Sequence, residues 1–205
     1  MQQLARLLSV LFHPVFMPLF TLALAGTVSP ALVYFVPPGS RLIMLGMVAI
    51  MTIAFPLTSA LLLLRASVVT RLDMPTRQER IVPYAMTLIH FCLAYYLLRR
   101  SPVHPALLAV NYGILLATGF TFVITFFWKI SAHMVGIGGL IGMLTALSAV
   151  QQAPLFPLIA AAIIVAGLLG SARALISDHS HAQLITGALL GWVCVHASVM
   201  LGWYP

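Results

Sequence analysis

The sequence predicts an all-α integral membrane helical bundle of six to seven transmembrane helices, on three observations. Of its 205 residues, 62% are hydrophobic and only 6% charged, and a mean hydropathy of +1.10 lies far above that of water-soluble domains. Seven apolar segments each approach the roughly 20 residues that a bilayer-spanning helix needs. No repeat, linker or composition shift divides the chain, so residues 1–205 form a single transmembrane domain.

Residues 1–38 read as an N-terminal kinked span: Arg6, then an apolar run broken by His13-Pro14 and Pro18. Arg6 followed by Ala23-Leu24-Ala25 mimics a secretory signal, but prolines are unusual in a signal core and a retained span is expected. Residues 42–64 form a second span, kinked at Pro56. The only long polar stretch, 65–80, follows and carries Arg71, Asp73, Arg77, Glu79 and Arg80. Taken alone it reads equally well as an interfacial loop of snorkelling arginines. Further spans cover 81–98, 106–128, a stretch that starts with Lys129-Ile130-Ser131-Ala132-His133 and ends near Val150, 155–169 and 182–203.

Counting crossings matters more than any boundary. Two crossings separate 65–80 from Lys129-Ile130-Ser131-Ala132-His133, and two more lead to 171–183, Ser-Ala-Arg-Ala-Leu-Ile-Ser-Asp-His-Ser-His-Ala-Gln. Three polar clusters therefore converge on one membrane face. Seven of the ten Lys and Arg residues fall on that face, mostly within the clusters themselves, so the positive-inside bias is carried by the candidate site.

The net charge of +7 reflects ten basic residues against three acids, Asp73, Glu79 and Asp178. No basic run points to nucleic acid, whereas phosphate headgroups suit such an imbalance. The acids are scattered, without the Asp-rich pattern that holds magnesium on a diphosphate, so neither a metal nor a cofactor is expected. Cys92 and Cys194 lie inside apolar segments as packing residues. A lone membrane histidine is more often packed than catalytic, which is the reading for His90 and His196. His13 has that reading too, although Pro14 beside it leaves a place at the site open, and His104 is interfacial on the opposite face.

Ser131 and Ser177 each stand two residues before a histidine, His133 and His179, and are expected as helix N-caps. Both histidines would then occupy first turns, where free N–H groups attract an anion. Gly138 and Gly142, and Gly187 and Gly191, are four apart and permit close contact between those two helices. His179 and Gln183 share a helix face, so Gln183 can orient the imidazole. With Arg173, Arg80 and Lys129 supplying positive charge, the set suits phosphoryl transfer through a phosphohistidine.

The pattern resembles the type 2 phosphatidic acid phosphatase superfamily of membrane-embedded, metal-independent lipid phosphatases. Its motifs are commonly written Lys-x6-Arg-Pro, Pro-Ser-Gly-His and Ser-Arg-x5-His-x3-Asp. The third fits Arg173, His179 and then Gln183 in place of aspartate, with Ala172 in place of serine; the second fits Ile130-Ser131-Ala132-His133. The first is degenerate: Arg80 fits, but Asp73 occupies the lysine position and Ile81 the proline position. The resemblance covers roughly residues 65–191, the expected catalytic core.

It implies His179 as nucleophile, His133 as general acid, and Arg80 and Arg173 as phosphate ligands. Position adds Lys129 and Ser131 to the phosphate-binding set, with Arg77 or Arg71 the available substitute for the missing lysine. Asp178 and His181 are expected beside the site. The implied function is a phosphatase removing phosphate from a lipid phosphate or isoprenyl diphosphate, set among membrane lipids, with a bacterial cytoplasmic membrane as the expected location. Two alternatives stand beside it: a lipid phosphotransferase using the same intermediate, and a catalytically silent lipid-phosphate binder or transporter.

Overall fold

The computed structural model describes residues 2–34, 36–177 and 179–203. Among them, six helices are long and apolar enough to cross a membrane. The first combines α3 (Pro38–Ala49), a π-helical turn (Ile50–Ala54) and α4 (Phe55–Arg65) into one 28-residue rod. The others are α5 (Gln78–Arg99), α6 (Pro105–Thr125), α7 (Ala132–Gln151), α8 (Phe156–Ile176) and α9 (His181–Met200). The chain is thus an integral membrane helical bundle.

The kink expected at Pro56 takes the form of the π turn just before it. A proline ring collides with the carbonyl four residues back, and widening the preceding turn moves that carbonyl away. His104, expected as merely interfacial, is the N-cap of α6, its Nδ1 accepting the Ala106 N–H at 3.1 Å. His196 stacks on Trp192 with ring centroids 4.9 Å apart and meets the Thr145 hydroxyl at 2.9 Å. That is the packed role expected of it.

Two expectations need correction. The N-terminal segment is not one kinked span: it divides at His13-Pro14 into α1 (Gln2–Leu11) and α2 (Met17–Val28). At about 1.5 Å per residue neither reaches across a hydrocarbon core of roughly 30 Å. Instead α1 lies against α8, and α2 packs on α7, α6 and α3. Ser177 is also not the N-cap of the last helix. It closes α8, which runs to Ile176, and both its backbone N–H and its hydroxyl donate to the Arg173 carbonyl. Ser180 is the N-cap of α9, in a reciprocal capping box with Gln183.

The centre of the bundle is the α7–α9 pair, in which the expected glycines meet backbone to backbone. A methyl group on Gly138 would strike the Ala188 carbonyl, and one on Gly191 the Val135 carbonyl. On Gly142 it would lie 2.6 Å from the Trp192 carbonyl oxygen, and on Gly187 2.8 Å from that of Ser131. Gly113 of α6 meets the same helix, its added methyl 2.6 Å from the Val195 Cα. Lipid offers no hydrophobic force to join helices, so this contact rests on close packing.

The glycines of this seam are predicted to be irreplaceable. Gly191→Ala should destabilise the bundle by about 1–3 kcal/mol or more, as overpacking typically does. Gly167→Ala, where nothing lies within 4 Å, should leave stability unchanged. Thermal unfolding in detergent, compared with the native chain, checks both.

Candidate active site

The loops at 66–77 and 126–131 meet His179 at one end of the bundle, as the crossing count requires. The first is an organised platform. Glu79 accepts from the Thr70 N–H at 3.0 Å and hydroxyl at 2.9 Å, and from the Thr76 hydroxyl at 3.1 Å. Arg77 donates to the Phe126 carbonyl at the end of α6. Asp73 pairs with Arg71 at 3.1 Å in the open. So fastened, the loop presents the Met74 carbonyl to Nε of Arg80, a residue only 7% exposed, at 2.9 Å.

Arg80, Arg173, His133 and His179 line one cavity of about 750 Å³. Its polar end also holds Asp73, Tyr84 and, from the N-terminal segment, Arg6, Ser9 and His13. Deeper, along α4, α5, α6 and α9, the wall becomes apolar with Leu57, Phe91, Ile114, Ala117 and Val195. Arg173 Nε is buried without a hydrogen-bond partner, and Tyr84 sits within electrostatic reach of both Arg173 and Arg80. Two guanidinium groups beside an apolar cavity wall give the site the chemistry to receive an anion carrying an apolar tail.

His179 is 7% exposed, and its Nδ1 meets Gln183 Oε1 at 3.0 Å. The same oxygen accepts the Ser180 N–H at 3.1 Å, which fixes it as an acceptor. Nδ1 must therefore carry the proton, and Nε2 is left with a free lone pair. Burial, followed by the positive charges of Arg80, Arg173 and Lys129, pushes the His179 pKa down to about 4 against the opposing Gln183 hydrogen bond. A neutral imidazole with one nitrogen anchored and the other bare is the state a nucleophile needs.

His133 lies in the first turn of α7, as expected from Ser131 at its N-cap. The serine hydroxyl, however, makes no cap hydrogen bond and is buried without a partner. His133 instead reaches across the chain, its Nε2 3.1 Å from the Ser9 carbonyl oxygen. His13 stands edge-on to the same ring, centroids 5.3 Å apart, and its own pKa is lowered by burial and by Arg173.

Of the residues expected at the site, His133, His179, Arg80 and Arg173 line the cavity and Gln183 orients one of them. Lys129 stands within electrostatic reach of His179. Arg77 braces the platform, Arg71 pairs on the surface and His181 is exposed at the start of α9. Asp178 lies outside the described residues. The contributions of Ser9 and Tyr84 had no assignment in the sequence. Tyr84 was findable, four residues after Arg80 on the same helix face, whereas a backbone carbonyl such as that of Ser9 leaves no sequence signal.

No protein family, curated protein or solved structure matches this chain.

His179 should titrate with a midpoint near pH 4 in imidazole NMR of the folded chain. Arg80→Gln removes a positive neighbour and should raise that midpoint; Gln183→Leu removes the bond that favours the cation and should lower it. Since the folded pKa lies below the unfolded value of about 6.5, the unfolded chain binds more protons between these values. Stability from this group is therefore constant above about pH 6.5 and falls as pH drops toward 4.

Proposed function

We propose that the chain is a membrane-embedded, metal-independent phosphatase that removes phosphate from a lipid phosphate or isoprenyl diphosphate through a phosphohistidine on His179. The observation that carries this reading is the single cavity in which a bare His179 Nε2, Arg80, Arg173 and His133 meet an apolar wall. The resemblance of 65–191 to the type 2 phosphatidic acid phosphatases supports the same reading, and a bacterial cytoplasmic membrane is its proposed setting.

In this mechanism the phosphoryl group lies between Arg80 and Arg173, whose charge stabilises the developing transition state. His179 Nε2 attacks phosphorus as the bond to the lipid oxygen breaks. His133 gives that oxygen a proton. Water then attacks the phosphohistidine, returns a proton to His133, and phosphate leaves. The apolar part of the cavity takes the lipid chain.

Gln183 favours a second reading, a silent lipid-phosphate binder or transporter, because a neutral amide orients His179 without stabilising its cation as a carboxylate does. A phosphotransferase differs from the phosphatase only in using a lipid alcohol in place of water.

Phosphate release from phosphatidic acid, phosphatidylglycerophosphate and isoprenyl diphosphates, in detergent with a chelator, tests the proposal. Release should survive chelation and disappear in His179→Ala. Gln183→Glu keeps the side-chain length and the capping box while adding the carboxylate, and should raise kcat on the order of tenfold, equivalent to about 1.4 kcal/mol of transition-state stabilisation. Tight lipid-phosphate binding without release, in the native chain and in Gln183→Glu alike, would replace the phosphatase with the binder.

A further inference from the structure

The N-terminal segment lines the candidate site with Arg6, Ser9 and His13, and two of these meet His133. A carbonyl oxygen only accepts, so the 3.1 Å contact between His133 Nε2 and the Ser9 oxygen requires the proton on Nε2. Among the described residues no group hydrogen-bonds Nδ1 of the same ring. The His13 ring stands at 81° to that of His133 with centroids 5.3 Å apart, so it occupies the space a rotating imidazole would sweep. The first contact comes from the last turn of α1 and the second from the break between α1 and α2, and α1 itself is held against α8, the helix that carries Arg173.

We infer that Ser9 and His13 form a clamp that holds His133 in one orientation and one tautomer, with Nε2–H committed to the protein and Nδ1 as its proton-exchanging atom. His13 is a positioning residue in this scheme, acting through His133. Resting on the phosphatase reading, the consequence for turnover is definite. Nδ1, bare at rest, takes the proton of the bound phosphate monoanion and passes it to the lipid oxygen as the phosphorus–oxygen bond breaks; it then takes a proton from the water that attacks the phosphohistidine and yields it to the departing phosphate, ending bare again. The Ser9 oxygen holds the Nε2–H through both steps and steadies the transient cation. His133 and His179 are then anchored alike, each by a neutral oxygen on the nitrogen that does no chemistry.

The test reads the imidazole nitrogens directly, by two-bond proton–nitrogen correlation of the full chain carrying 15N-histidine in detergent near neutral pH. The His133 signal is assigned by its loss in His133→Asn. A single form with Nε2 protonated and Nδ1 bare is expected in the native chain and in His13→Phe, which keeps the ring, whereas His13→Ala should show a mixture. An Nδ1–H form or a mixture in the native chain, or an unchanged signal in His13→Ala, overturns the clamp. In turnover, His13→Ala should lower kcat about tenfold or more through misplacement while leaving KM within about twofold, and His13→Phe should recover most of the loss. A chain that releases no phosphate yet shows the single Nε2–H form defeats the phosphatase reading and leaves the clamp standing.

Discussion

The approach of α7 to α9, backbone on backbone, sets the geometry on which the candidate site depends. His133 is the second residue of α7, and His179 stands two residues before the start of α9. Their separation therefore follows from how the two helices are registered along their shared seam. A slip of one helical turn would move one histidine about 5.4 Å past the other. The glycines prevent it, because each accepts a particular carbonyl: Gly187 that of Ser131, Gly191 that of Val135, Gly138 that of Ala188. With Ser131 immediately ahead of α7, the seam fixes the end of the helix where the chemistry would occur.

Charge around the same point stays positive not by excluding acids, since Asp73 lines the cavity within electrostatic reach of Arg173, but by engaging them elsewhere. Among the described residues Asp73 and Glu79 serve the loop at 66–77, one on Arg71 and the other on two threonines. Neither makes an ion pair with Arg80 or Arg173. Both histidines rest on neutral acceptors, an amide oxygen and a backbone carbonyl. The cavity therefore keeps a positive field that an incoming phosphate would neutralise, and that field helps hold His179 unprotonated in its absence.

Much of this was legible in the chain. Apolar length gave the spans, and the crossing parity brought Arg80, His133 and His179 to one face before any boundary was known. The glycine spacing in α7 and α9 identified the seam; the contact of His179 with Gln183 was expected from a shared helix face, yet it forms with His179 outside the helix, just ahead of the Ser180 cap. The sequence misled where two local signals competed. Ser177 and Ser180 are both plausible caps, and only the pairing of Ser180 with Gln183 decides between them. Proline and apolar content could not tell a kinked span from two short helices, since the difference lies in what α1 and α2 pack against. The part played by Ser9 was illegible in principle, because every residue carries the same carbonyl.

The break at His13-Pro14 has a consequence for the order in which the molecule can assemble. The contact between Ser9 and His133 closes over 124 positions of chain, and α9, which seats against α7, is the last described helix. A ribosome delivers these parts far apart in time, and loop closure over such distances must precede any gain from the contact. Arg80, His133 and the N-terminal segment enter the membrane before their partner helix has been made. A partly inserted chain therefore holds a basic groove that lacks His179 and the Val195 wall until α9 docks, so the site is completed only late in synthesis.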